Sequence, residues 1–528
     1  MSRTPLFTAL RQASSLALLC EEQQIPTAEG IERVAEVQWS RRQFLRTTAG
    51  ALIGTALGTV PPPRPLWGKT IPRIIIVGAG TAGLTCAYRL QQAGVPAQVI
   101  EGSKRVGGRM YSLRDTFPDG QIAELGGEFI DTKHRALRYL AKELDLSSID
   151  LIAVDGKREP VFFFNDRRVA LAEIVEAFRP LAWRIRKDTE PLRGAVPTYH
   201  NPYSAYELDR MSIAEWLDTR GVTGALRFLL ETAYVGEFGL EASEQSALNL
   251  LVMIGTTPGS FELLGESDER FHLVEGSDSV PTRLAERLIQ PVTLETRLDA
   301  IRRQADGTYV LTVNQVGMVR DLKADKVVLA IPFTILRQVD LKGIGLPPVK
   351  RLAIDTLGYG THTKLVTGFT RRVWYDVNGN GSSVSDLSYQ SSWETSRGQP
   401  GAHGLLTNFA GGMCGLALGE GAPDERAAEF TEQLDRVFPG AKDAHTKLAA
   451  RLSWPKAHSF LGSYACYKPG QYTTIAGAEG EAIEGLHFAG EHTSLAFQGF
   501  MNGAVESGER VAREILALGA QPSRAQDE

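Results

Sequence analysis

The chain has 528 residues, of which 43% are hydrophobic and 23% charged, with a formal net charge of −5. That length exceeds one ordinary core and implies two or more domains. The composition is that of a soluble globular enzyme, and the small, dispersed charge excludes a nucleic-acid footprint.

In residues 1–39, Leu6, Leu10, Ala13 and Ala17 can share one helical face, and the segment from Ile31 to Val37 suggests another helix. This extension reads as a disordered arm, a chaperone handle or a retained helix packed on the body. Ser40-Arg41-Arg42-Gln43-Phe44-Leu45-Arg46 then precedes the acid-free stretch Thr47 to Val60 and Pro61-Pro62-Pro63. Paired arginines before a short, mildly apolar region give residues 40–69 the character of a twin-arginine export signal, so a periplasmic or secreted protein is expected. Ala56-Leu57-Gly58 is a tolerable cleavage triplet. The apolar stretch of about 14 residues is too short for a stable membrane span. Cys20, Cys86, Cys414 and Cys466 show no metal spacing and imply no disulfide framework.

Residues 70–135 carry the organising motif. Ile74-Ile75-Ile76-Val77 runs into Gly78-Ala79-Gly80-Thr81-Ala82-Gly83, followed by an Ala/Leu-rich segment to Gln92 and then Gly94. The order is strand, glycine turn, helix and C-cap. Gly78 permits the turn, Gly80 admits a pyrophosphate, and Gly83 lets helix pack on strand, while the helix start at Thr81 and Ala82 holds phosphate charge. A second strand from Ala97 to Ile100 delivers Glu101, about 20 residues on, where a dinucleotide fold needs a carboxylate for ribose hydroxyls.

Gly107-Gly108-Arg109 and Glu124-Leu125-Gly126-Gly127-Glu128 follow. With the opening motif they resemble the flavin-binding signature of the FAD-dependent amine oxidases, the family of monoamine, polyamine and L-amino-acid oxidases. The resemblance implies that Arg109, beside Gly108, meets the FAD pyrophosphate, and that Gly126, Gly127 and Glu128 lie beneath the flavin.

Residues 136–260 read as a helical substrate subdomain, from Ala136, Leu137, Leu140 and Leu144, then Ile213, Trp216 and Leu217, then Ser243 to Leu251. Residues 261–335 return to the FAD domain through Glu275 to Pro281, Leu284 and Leu288. Val292 to Leu294 resembles the family's adenine-contacting strand, which makes Val292 a cofactor contact. Lys326 to Pro332, Thr363 to Phe369 and Gly404 to Phe409 suggest strands, the last two within a substrate-binding sheet at 336–453. By resemblance, Lys364 in Tyr359-Gly360-Thr361-His362-Thr363-Lys364-Leu365 is the lysine that holds a water against flavin N5.

Residues 454–516 read as the third part of the FAD domain, before a tail at 517–528. Leu486-His487-Phe488-Ala489-Gly490-Glu491-His492-Thr493 and Gly499-Phe500-Met501-Asn502-Gly503-Ala504-Val505-Glu506-Ser507-Gly508 resemble the family's closing signature. Glu491 would bind the ribityl and phosphate region beside Gly499. A helix starting near Met501 would aim its N-terminus where reduction deposits negative charge. Trp454 and Tyr464 stand at family-like spacing, and Tyr464 with Phe500 would form an aromatic cage over the flavin. Two departures matter. Ser463 stands where animal monoamine oxidases carry the cysteine bonded to FAD, so FAD is expected to be non-covalent. Phe129 stands where snake-venom L-amino-acid oxidases carry an arginine for the substrate carboxylate.

The expected fold is α/β, a discontinuous Rossmann-like FAD-binding domain plus a substrate domain of mixed β-sheet and helices. The expected activity is oxidative deamination of a primary amine or L-amino acid by hydride transfer to flavin N5, with O2 as acceptor and H2O2 and ammonia as products. A flavin monooxygenase or desaturase is the alternative enzyme, a FAD-binding module the non-enzymatic one, and a homodimer is left open.

Overall fold

The computed structural model describes residues 5–34, 71–192, 195–254 and 268–520. The expected export signal at 40–69 lies outside the described residues. In chain order the elements used below are α1 (Pro5–Gln23), β1 (Ile74–Val77), α2 (Thr81–Gln92), β2 (Gln98–Ile100) and α3 (Arg135–Glu143). Next come β3 (Glu159–Phe164), β4 (Arg167–Val169), α4 (Leu171–Thr189), α5 (Ile213–Thr219), α6 (Gly224–Phe238) and α7 (Ala247–Met253). Strands β5 (Thr296–Arg303), β6 (Tyr309–Gln315), β7 (Met318–Ala324), β8 (Lys326–Leu329), β9 (Asp340–Gly343), β10 (Thr363–Phe369), β11 (Gly379–Ser385), β12 (Ser391–Glu394) and β13 (Gly404–Ala410) follow. Helix α8 (Pro423–Val437), β14 (His445–Ser453), β15 (Leu486–Phe488) and α9 (Met501–Ala520) complete the set.

The fold is mixed α/β. Strands β15, β8, β1 and β2 lie in that order in one parallel sheet, with Ile75 opposite Val327 and Val327 opposite Leu486. Three distant stretches of chain thus build one dinucleotide-type sheet. β1 reads as an unbroken apolar run because both of its faces are covered: Ile74 and Ile76 pack into the cluster holding Leu84 of α2 and Val505 of α9, while Ile75 and Val77 enter another. Gly508 lets α9 close on α2, since a Cβ there would meet Thr85 Cβ at 3.0 Å.

A second sheet has the order β14-β10-β13-β12-β11-β3-β4. One face packs through Leu365 and Phe369 on Phe430 and Leu434 of α8. A third sheet, β7-β6-β5-β9, packs through Leu298 and Leu311 into the cluster that holds Leu329 of β8 and Leu486 of β15.

Two expectations need correction. The segment 136–260 is not wholly helical: β3 and β4 form a hairpin that joins the second sheet through β11. Its two-residue turn, Asn165-Asp166, has φ of 53° and 60° at the two positions, the conformation of a type I′ hairpin turn. The strand expected over Val292 to Leu294 is a single bridge, Thr293 beside Ile100.

At the N-terminus the structure shows a helix packed on the body. Ala13, Leu16, Ala17, Leu18 and Leu19 of α1 are buried in the cluster that holds Phe178 and Leu181 of α4 and Leu229 and Leu230 of α6. Glu21 pairs with Arg179 at 2.5 Å, and Glu22 pairs with Arg186. Among the described residues no helix is long and apolar enough to cross a membrane, and all four cysteines are free.

Candidate active site

Residues that directly follow β1, β2 and β8 and residues of the seven-stranded sheet line one cavity.

One end is the glycine turn after β1. Gly78 takes φ +107°, and a Cβ there would lie 2.6 Å from the Ala330 carbonyl oxygen. Gly80 is the N-cap of α2 and contributes no side-chain cap, so the first N–H groups of the helix face the cavity with the positive end of its dipole. Gly108, at φ +59°, approaches so closely that its Cβ would meet Gly80 Cα at 3.3 Å. Glu101 accepts Ala79 N–H on Oε2 and Ser103 N–H on Oε1, each at 2.8 Å. Each carboxylate oxygen keeps a second lone pair for a hydroxyl. An uncapped helix start, a cradle that side chains would fill and a backbone-anchored carboxylate fit the pyrophosphate and ribose of FAD.

Farther along, Arg109 donates to Glu491 Oε1 at 2.8 Å and to the Ser463 carbonyl at 2.6 Å. Glu491 Oε2 accepts Gly499 N–H at 2.7 Å. Gly127 lies under Met501 at the N-terminus of α9, where a Cβ would meet Met501 Cγ at 2.8 Å. This interlock brings the second glycine pair, the closing signature and the last helix to one wall.

Lys364 reaches the same cavity from β10. Its ammonium donates to Gly126 O at 2.8 Å, Glu124 O at 3.2 Å and Glu128 Oε2 at 2.9 Å. Glu128 also accepts Trp393 Nε1–H at 2.9 Å and Thr395 Oγ1–H at 2.7 Å. The Glu128 carboxylate is therefore engaged with protein groups. Burial alone would raise its pKa, but Lys364, with His272 and the Thr395 hydroxyl, outweighs burial and holds it below the usual range.

Tyr464 and Phe500 each adjoin an imidazole. The Phe500 ring is 5.1 Å from that of His134, whose pKa burial pushes down to about 3. His134 is thus a neutral packing group. Tyr464 packs at 4.7 Å on His362, which stacks on Phe409 at 4.5 Å and 7°.

The lining contains Gly78, Gly80, Thr81, Ala82, Glu101, Gly108, Arg109, Gly126, Gly127, Glu128, Lys364, Trp454, Tyr464, Glu491, Gly499, Phe500 and Met501. Two expected residues are outside it. Gly83 is a packing glycine, whose Cβ would meet Ile76 and Ala330 side chains at 3.2 Å. Val292 is half-buried against the nucleotide-domain core. His362, Trp393 and Phe409 line the cavity without having been expected there. A signal existed for two of them: His362 is two residues before Lys364, hence on the same face of the chain, and Phe409 is the cross-strand partner of Lys364.

Such a cavity, with a phosphate turn at one end and a lysine among aromatic rings at the other, marks a two-part oxidoreductase that holds a dinucleotide against a substrate sheet. Comparison with known proteins narrows the class. Residues 81–516 match the model of the flavin-containing amine oxidoreductases, and the chain belongs to that family. An L-amino-acid oxidase of Bothrops moojeni is 24% identical over 464 residues, covering 84% of this chain and 89% of its own. A Dictyostelium discoideum protein described as a probable flavin-containing monoamine oxidase A is 23% identical over 465 residues, covering 85% and 98%. Cyclohexylamine oxidase from Brevibacterium oxydans superposes with a TM-score of 0.74 at 21% identity, over 86% of this chain and 100% of that one. Putrescine oxidase bound to putrescine gives 0.71 at 21% identity, over 84% and 99%. At these identities the structures establish the fold and leave the substrate open.

Proposed function

We propose that the protein is an oxidase with non-covalent FAD that converts a primary amine to an imine, with O2 as acceptor and H2O2 and, after hydrolysis, ammonia as products. The observation that carries the reading is the convergence of Lys364, Tyr464 and Phe500 on the cavity that also holds the phosphate turn. Bound FAD supplies the hydride acceptor at N5 and the route of electrons to O2. The protein's part is positioning and charge. Lys364 and Glu128 are a closed ion pair 2.9 Å apart, 6% and 2% exposed, so the wall offers a cationic substrate no free counter-ion there. A dry, aromatic site then favours the neutral amine, whose lone pair assists loss of hydride from the α-carbon.

Primary amines are favoured over L-amino acids by what surrounds Phe129. The nearby Arg397 guanidinium lies over the Phe129 ring at 5.4 Å but is committed to Asp155 Oδ2 at 2.9 Å. Arg109, the arginine in the lining, is paired with Glu491. Neither is disposed as a clamp for a substrate carboxylate.

The test is a peroxide-coupled screen of amines and L-amino acids joined to anaerobic mixing. Expected are bleaching of the flavin by a primary amine and one H2O2 per amine in air. Bleaching by L-amino acids alone would overturn the substrate assignment, and sub-stoichiometric peroxide would favour a monooxygenase or desaturase. We further propose export by the twin-arginine route, resting on Arg41-Arg42. Replacing both by lysine is expected to keep active enzyme in the cytoplasm, and unchanged export would refute the assignment.

A further inference from the structure

His362 is fully buried, lines the cavity and has no place in the chemistry above. The chain nevertheless shapes a socket for it. A Cβ at Gly239 would come within 2.6 Å of His362 Nδ1, one at Gly360 within 3.0 Å of the same atom, and one at Gly411 within 3.1 Å of Cδ2. Three glycines from separate stretches of chain therefore leave room for one imidazole.

The hydrogen bonds place a proton on Nε2. His362 Nε2 is 2.9 Å from the Gly236 carbonyl oxygen, which only accepts, so Nε2 carries a proton. Nδ1 is 2.7 Å from Ser463 Oγ; in the neutral ring it accepts the serine proton. Tyr464 donates its hydroxyl proton to the Glu237 carbonyl at 2.8 Å, and its oxygen lies 3.3 Å from His362 Nε2. A single directional chain results. It ends on Gly236 and Glu237, the last-turn carbonyls of α6, which α-helical bonding leaves open. The ring faces complete the fixation, with Phe409 stacked at 4.5 Å and Tyr464 packed at 4.7 Å.

We propose that His362 is a positioning residue that, through its Nε2–H and its Nδ1 contact, ties the Ser463 hydroxyl and the Tyr464 phenol to the end of α6 and thereby fixes the Tyr464 ring in the cavity wall. Its kinetic readout rests on the amine-oxidase reading. Its structural readout does not. His362→Phe keeps an aromatic face for Phe409 and removes both hydrogen bonds, and Tyr464→Phe removes the other end of the chain.

Because a small misplacement near the reacting atoms costs much in rate, His362→Phe is expected to slow anaerobic flavin reduction at saturating amine by about 10-fold or more. FAD affinity, measured by titrating the apoprotein with FAD, is expected to stay within about 3-fold of wild type, because His362 acts through Tyr464. Adding Tyr464→Phe to His362→Phe is expected to slow reduction by no more than about 3-fold further. His362→Gln, whose amide can replace the Nε2 donor, is expected to recover much of the rate, and His362→Asn, which reaches only the Ser463 side, is not. A wild-type rate in His362→Phe, a multiplicative double variant, or equal rates in the Gln and Asn variants would each overturn the proposal. An equal fall in FAD affinity would do the same. If His362→Phe does not fold, the Gln and Asn comparison decides. If no amine reduces the wild-type flavin, the functional reading fails and the positioning claim is judged on melting temperature: losses from His362→Phe and Tyr464→Phe must be non-additive, and additive losses refute it.

Discussion

At the residue scale the most consequential pair is Lys364 and Glu128. Both are buried, and Lys364 helps hold the Glu128 carboxylate below its usual pKa range. Lys364→Met would strand a carboxylate among Trp393, Thr395 and apolar rings, and breaking a buried pair from one side typically costs about 3–5 kcal/mol. The double variant Lys364→Met with Glu128→Gln is therefore expected to melt closer to wild type than Lys364→Met alone. A positive charge near the site of O2 reduction stabilises developing superoxide. Loss of the ammonium in the double variant is accordingly expected to slow reoxidation of reduced flavin by about 10-fold or more, which is roughly 1.4 kcal/mol of barrier, with anaerobic reduction much less changed. Stopped-flow measurement of the two half-reactions checks this, and equal slowing of both would point to general damage. The lysine's position was legible from its motif, but its counter-ion was not, because Glu128 is 236 residues away in sequence.

Glu479 shows a second residue-scale consequence. Burial raises its pKa from 4.5 to about 7, with Tyr467 and Gly477 donating to its carboxyl group. The folded state then holds a proton that the unfolded state has released. The stability this confers is complete below pH 4.5 and declines as pH rises toward 7. Glu479→Gln is expected to flatten that decline in the melting temperature between pH 5 and 7, and an unchanged slope would return Glu479 to an ordinary charged carboxylate.

At the scale of elements, sequence patterns worked where one element carries its own signal. The run before Gly78 and the apolar spacing of Leu137 and Leu140 in α3 indicate their elements directly. They failed where an element exists because of a distant partner: β3 is a strand because β11 offers it an edge, and only Asn165-Asp166 advertised the turn. Helix α1 is the strongest case. It has no acidic residue in its first turn and no basic residue in its last, so its own sequence does little to stabilise it. What holds it is the apolar face shared with α4 and α6 and the pairs of Glu21 and Glu22 with Arg179 and Arg186. Deleting residues 1–34 would expose the surface beneath Leu16, Leu18 and Leu19, each worth about 1.5–3 kcal/mol when fully buried. The truncated enzyme is expected to melt several degrees lower and to aggregate sooner. An unchanged melting temperature would show that α1 is dispensable to the fold.

For the whole molecule, the decisive feature is that the cofactor cavity is assembled from stretches far apart in the chain: β1 to Arg109, Gly126 to Phe129, Ala330 to Pro332, and the segment from Trp454 to α9. The motifs announced most of these stretches separately, whereas their closure depends on packing such as Met501 over Gly127 and Gly508 against α2. A ligand bridging all of them binds only the assembled state, so it stabilises the fold by mass action. If FAD is not bonded to Ser463 or any other residue, free FAD at about 100 times its Kd adds about 2.7 kcal/mol to the stability of the apoprotein. The melting temperature is therefore expected to rise with the logarithm of FAD concentration above saturation, and acid precipitation is expected to leave yellow flavin in the supernatant. The serine's hydroxyl supports this outcome, since it is already engaged with His362 Nδ1 at 2.7 Å and lacks the nucleophilicity of a thiolate. A melting temperature indifferent to added FAD, together with colour that stays in the precipitate, would mean a covalent flavin and would require an attachment site other than the serine that replaces the familiar cysteine.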